Sequence, residues 1–124
     1  MATFTQAFAE FGATLKNPQG VWSAQHDRTD EICVTMWYDH LHDGIYRLTI
    51  PEREWRRPGW RGLIRHVKYA LAHSNGEVSV ILIRAESVVP KRRTVVKNSC
   101  KLLSNKWKIT HFDEAKGELT MIPL

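Results

Sequence analysis

The densest group of chemistry-bearing side chains is Asp39-His40-Leu41-His42-Asp43. Imidazole and carboxylate together suit zinc, iron or manganese, and residues 40 and 42 share one face if the preceding strand continues. Such a set would make a small metal-dependent nuclease or hydrolase. No other segment supplies a second half at a recognised ligand spacing, so a polar loop between two strands is the plainer reading, and no metal or other cofactor is assigned. His26, His66, His73, His111, Asp113 and Glu114 can carry protons, but general acid–base work needs a positioned pair and none of them forms a signature. The chain contains no glycine-rich phosphate loop, nucleophile elbow or HExxH motif, and Cys33 and Cys100 have no recognisable partner residue. These residues favour a binding protein over an enzyme.

Aromatic side chains give a second kind of chemistry. Of five tryptophans, Trp60 and Trp107 fall in apolar registers and are expected in the core. Trp55 lies between Glu54 and Arg56 in a stretch bounded by Pro51 and Pro58, and is expected as an exposed anchor that stacks on a base or wedges into a groove. Trp22 and Trp37 fall on neighbouring strands and can wall a pocket. An extruded base needs such walls for stacking and a few polar groups to read its hydrogen-bonding edge, with Ser23, Asp39 and Tyr46 as the candidates. The competing reading has both indoles packing the strands against the first helix.

Charge is distributed unevenly. The formal net charge is +5, yet residues 1–46 carry two basic and six acidic side chains. Residues 47–68 carry seven basic and two acidic, and residues 84–108 carry eight basic and one acidic. A polyanion suits such blocks, because each cation placed on a phosphate releases a counterion. Arg56, Arg57, Arg61, Arg65 and Lys68 in the first block, with Lys91, Arg92 and Arg93 in the second, are expected to converge on one groove for phosphates.

The elements that must position these residues follow from periodicity. Phe4, Ala7, Phe8, Phe11 and Leu15 recur at helical spacing after a Thr3/Gln6 capping box. Asn17-Pro18-Gln19-Gly20 ends that helix. Residues 21–25 and 32–38 read as a strand pair, 39–44 as a loop, and 46–50 as a half-buried strand. Residues 51–59 read as a long exposed loop. Trp60, Leu63, Ile64, Val67 and Leu71 then form the apolar stripe of a second helix whose other face bears Arg61, Arg65 and Lys68. Residues 78–83 are nearly all apolar, the pattern of a central strand covered on both faces, and the preceding strand–helix–strand order suggests a right-handed parallel crossover, with an antiparallel placement as the alternative. Residues 88–93 read as a basic loop, 94–103 are ambiguous, and 106–112 with 118–122 read as a hairpin turning at Gly117.

The whole is expected to be a single α+β domain over residues 1–124, with two main helices on a strongly bent mixed sheet or small β-barrel. Length and the 43% hydrophobic content allow one core and exclude a large multidomain enzyme or global disorder. No apolar run approaches the roughly 20 residues of a membrane span. Glu10 and its polar neighbours do not suit a signal peptide, so no membrane partner and a cytoplasmic location are expected.

Three short stretches are similar to the small domains that precede the nuclease in HNH-type restriction endonucleases. They are Phe11-Gly12-Ala13-Thr14-Leu15-Lys16-Asn17, Trp22-Ser23-Ala24 and Thr35-Met36-Trp37-Tyr38-Asp39, with Gly62-Leu63-Ile64-Arg65-His66 and Val80-Ile81-Leu82-Ile83-Arg84-Ala85 of like character. The order of elements also resembles the PUA-like group, which holds a flipped or modified base in an aromatic cage. The resemblance implies DNA reading in a restriction–modification setting. The chain departs from the HNH architecture in lacking its histidine-rich nuclease segment, so it implies binding without cutting, alone or beside a separate nuclease subunit. Charge and resemblance together lead to a nucleic-acid-binding domain, DNA favoured over RNA. A protein-interaction module of phage or mobile-element origin is the alternative.

Overall fold

The computed structural model describes residues 2–17, 20–84 and 99–124. Helix α1 (Phe4–Phe11) begins at the expected capping box, where Thr3 Oγ1 accepts from Gln6 N–H at 3.2 Å and Gln6 Oε1 accepts from Thr3 N–H at 2.9 Å. It ends at Gly12, whose φ of +114° suits a residue without Cβ and lets the His26 ring lie directly against its Cα.

Strands β1 (Ser23–Gln25) and β2 (Ile32–Trp37) pair antiparallel as the sequence suggests. The segment expected as a loop then folds into a 3-10 turn (Tyr38–His40) and a tight hairpin of β3 (Leu41–His42) and β4 (Ile45–Thr49). Asp43 and Gly44 form its two-residue connection with φ of 52° and 75°, the backbone that an Asp-Gly pair favours. Residues 51–59 are likewise not an open loop: a 3-10 turn (Glu52–Glu54) leads into helix α2 (Pro58–His73), two residues earlier than the apolar stripe suggests. Proline at the first helical position makes this possible, because its missing N–H would have no helical partner there.

Strand β5 (Glu77–Ile83) is the hub. It pairs parallel with β2 and antiparallel with β6 (Lys101–Leu102) and β7 (Trp107–Asp113). The parallel partner is therefore β2 and not β4, the strand just before the helix. Instead β4 pairs with β8 (Glu118–Pro123), which also forms the predicted hairpin with β7. Among the described residues the order is β1-β2-β5-β7-β8-β4-β3, a mixed eight-stranded sheet that does not close on itself. Among the described residues the architecture is α+β with two α-helices, and no helix there is long and apolar enough to cross a membrane.

Alternation sorts the central strands between two cores. Ile32, Val34, Met36, Val78 and Val80 face the cluster that holds Trp60, Leu63, Val67 and Ala70 of α2. Cys33, Ile81 and Ile83 face the cluster that holds Ala7 and Phe8 of α1. Both faces are thus covered, which explains the nearly continuous apolar run of β5. Leu71, expected in the stripe of α2, is exposed instead, because Ala70 takes the inward position. Trp60 and Trp107 are buried as expected.

Candidate functional site

A cavity of about 300 Å³ opens between the β2–β4 region and the start of α2. Trp22, Trp37, His40 and Tyr46 provide ring walls, Leu48, Ile50 and Leu63 an apolar base, and Thr35, Thr49, Arg53, Glu54 and Arg57 its polar lining. Its size falls at the lower end of the roughly 300–1,000 Å³ common for small-molecule sites, and its lining is more polar than is usual for them. Sequence order explains the gathering. Trp22 precedes β1, Thr35 and Trp37 sit two apart on β2, Tyr46 and Leu48 point inward from β4, and the 3-10 turn delivers Arg53 and Glu54 to the rim.

Trp22 is held by its neighbours. Its carbonyl accepts from both the N–H and the hydroxyl of Thr35 at 2.9 Å, and its indole lies against Gly59, where an added Cβ would meet the ring at 2.4 Å. Tyr46 is 1% exposed; its hydroxyl accepts from Trp37 N–H at 3.4 Å, and its ring meets His40 edge-on at 6.4 Å.

Three of the five expected pocket residues, Trp22, Trp37 and Tyr46, therefore line one cavity. The other two do not. Ser23 is 6% exposed, and its hydroxyl shares a 2.6 Å hydrogen bond with His66 Nδ1 that ties β1 to α2, outside the cavity lining. Asp39 sits in the 3-10 turn near His40, with 3.9 Å between carboxylate and imidazole, outside the lining. His42 and Asp43 are exposed at the hairpin, and among the described residues no three His, Cys, Asp or Glu side chains gather as a metal-holding group.

Trp55 is not an exposed anchor. It is half-buried against the α2 core, and its indole N–H donates to Ile50 carbonyl at 2.8 Å, clipping the 3-10 turn to the end of β4. Burial of so large a ring outweighs the charged flanks that suggested exposure.

The cationic residues divide by what they touch. Arg61 and Arg65 are exposed on α2 and make no ion pair among the described residues. Arg57, the N-cap residue, is 3.8 Å from Glu54 and lines the cavity. Positions 57, 61 and 65 follow one another at close to single helical turns, so the stripe rises by about 6 Å of helix axis at each step from the cavity-lining end of α2. Arg56 is exposed beside them. Lys68 continues the stripe but is ion-paired with Glu114 of the β7–β8 turn, and Lys106 is paired with Glu31 at 3.2 Å. Arg84 stacks over the Tyr38 ring, 4.5 Å from its centroid. Lys91, Arg92 and Arg93 lie outside the described residues.

His66, between Ser23 and the Arg65 position, titrates below an ordinary imidazole, chiefly because burial disfavours its charged form and secondarily because Arg65 is near. Both cysteines are buried and free, and burial pushes both thiols up, away from reactive thiolate character.

Sequence reasoning missed Thr35, Thr49, Arg53, Glu54 and the floor residues, and treated His40 only as a metal ligand. The available signal was the Glu52-Arg53-Glu54 run just after Pro51, which is a 3-10 turn rather than open loop. Comparison of the chain with models of known protein families, with curated proteins and with solved structures gives no match.

Proposed function

We propose that this chain is a nucleic-acid-binding domain, DNA favoured over RNA, that grips phosphates along α2 and accepts a flipped or modified base in the aromatic cavity. One observation carries the reading: Arg57 both lines the cavity and heads the Arg57–Arg61–Arg65 stripe, so a backbone laid on the stripe leads directly to the pocket mouth. Phosphate contacts fix position, and a walled cavity beside them supplies the place for an unstacked base. A PUA-like use of the strands goes with this reading, as does a separate nuclease subunit as partner, since both follow from the resemblance. Arg56 and, from outside the described residues, Lys91, Arg92 and Arg93 extend the cationic surface in this proposal. Lys68 contributes less, being paired with Glu114.

A gel-shift panel tests it, using plain duplex, methylated duplex and single-stranded oligonucleotides at two salt concentrations. Salt-sensitive binding to at least one of them is expected. Absence of binding to all three at low salt would overturn the proposal and leave a protein-interaction role as the better reading.

A further inference from the structure

Glu54 is anomalous on a rim that grips phosphate. Its side chain is only 24% exposed although it carries charge, and among the described residues its carboxylate has one contact, Arg57 Nη2 at 3.8 Å, longer than a hydrogen bond. A carboxylate has about four lone-pair sites and no donor of its own, so this one is poised for N–H groups it does not yet have. It lines the same cavity as Arg53, Arg57 and the rings of Trp22, Trp37 and Tyr46.

Aromatic walls with a carboxylate suit two ligand classes. One is a quaternary or methylated ammonium, attracted to ring faces. The other is a planar base that stacks on the rings and presents N–H groups to the carboxylate. Two guanidiniums against one carboxylate make this rim net positive, which opposes a cation and favours a ligand that brings phosphate. Among the bases, guanine alone presents two adjacent donors, N1–H and the N2 amino group, on its Watson–Crick edge, and it also presents O6 and N7 as paired acceptors for a guanidinium. Adenine and cytosine place a ring acceptor beside their single amino group. Thymine and uracil place a carbonyl on each side of their one N–H. Each of these sets an acceptor against the carboxylate.

We infer that the cavity selects guanine: Glu54 accepts from N1–H and N2–H, a guanidinium of the Arg53–Arg57 pair donates to O6 and N7, and Trp22 and Trp37 hold the ring plane. This rests on the base-accepting reading above and specifies which base. The guanine comes from a free nucleotide or from a nucleic-acid strand, and the experiment separates the two.

The test is quenching of tryptophan fluorescence by 5′-GMP, AMP, CMP and UMP, in wild type and in Glu54→Gln. A parallel arm uses a thymine oligonucleotide with or without one guanine. GMP is expected to bind about tenfold more tightly than the other three, the discrimination of one good bidentate pair. Glu54→Gln is expected to bring GMP to the level of the others while leaving AMP unchanged. A guanine advantage only in the oligonucleotide arm keeps the assignment and places the base in a strand; an advantage only among mononucleotides keeps it and makes the ligand a free nucleotide. Equal binding of all four nucleotides by wild type, with no gain from the guanine in the oligonucleotide arm, overturns guanine selection while the base pocket stands. No quenching by any nucleotide or oligonucleotide, with quenching by a trimethyllysine peptide, overturns both.

Discussion

Replacing Arg61 and Arg65 together by alanine removes two exposed guanidiniums that make no ion pair among the described residues, so the loss falls on ligand contacts rather than on the fold. Each phosphate neutralised on B-form DNA contributes about −0.9 to the slope of log affinity against log salt, and two lost contacts make the slope shallower by about 1.8. Across a fourfold rise in salt, from about 50 to about 200 mM, the wild-type advantage over the double variant then shrinks by about twelvefold. Fluorescence anisotropy on two unrelated duplexes at four or more salt concentrations measures this, and the loss should be the same for both sequences because phosphates carry no base information. Lys68→Ala is the internal control: the lysine is already neutralised by Glu114, so its removal should change the slope by less than half of one contact's share. A double variant with the wild-type slope would refute the assignment of the stripe to phosphate, whatever happened to affinity at one salt concentration.

Further expectations follow from the same contacts. Gly117→Ala should destabilise the fold by about 2–3 kcal/mol in urea denaturation, because φ is +67° there and the new Cβ would meet Ile50 carbonyl oxygen at 2.4 Å and Trp55 Nε1 at 2.8 Å. Trp55→Phe should cost about 1–2 kcal/mol from the lost bond to Ile50 yet leave duplex affinity unchanged, whereas a groove-inserting tryptophan would lose binding first. His66 titrates below its unfolded value of about 6.5, so its contribution is fully present above that pH and is lost as pH falls from there toward the lowered folded value. Urea midpoints of wild type should therefore drop between about pH 7.5 and about pH 5.5 more than those of His66→Gln, and equal drops would count against the burial of this imidazole.

Much of this molecule is legible in its residues where local chemistry decides. Thr3 and Gln6 mark the start of α1, the β-branched run at 32–37 marks β2, and the nearly continuous apolar run at 78–83 marks a doubly covered strand, because caps and side-chain periodicity act within a few residues. The Asp43-Gly44 hairpin was legible too, from a two-residue connection that tolerates positive φ, although residues 39–44 read as a polar loop. What residue patterns do not reveal is non-local pairing. Adjacency in sequence suggests β4 as the partner of β5, whereas the sheet seats β2 there and sends β4 to β8. The candidate site shows the same division. Trp22 and Trp37 were identifiable as walls by type and Tyr46 as a polar pocket group, while Glu54 joins them because Trp55 folds inward and clips its turn to Ile50. Ser23 was misread because the partner that occupies it, His66, lies on a helix far along the chain.

The parallel seam between β2 and β5 makes residues 38–76 one closed loop, and that loop carries most of the cavity's lining. Closing it costs entropy before any contact within it is rewarded, so the cavity is completed only when this distant seam has formed. A small molecule seated there stabilises the finished molecule by mass action, and candidate ligands can therefore be ranked by how far they raise the melting temperature of the intact chain. A fragment ending before Glu77 would lack the seam and give no such signal, which makes it a natural blank for such a screen.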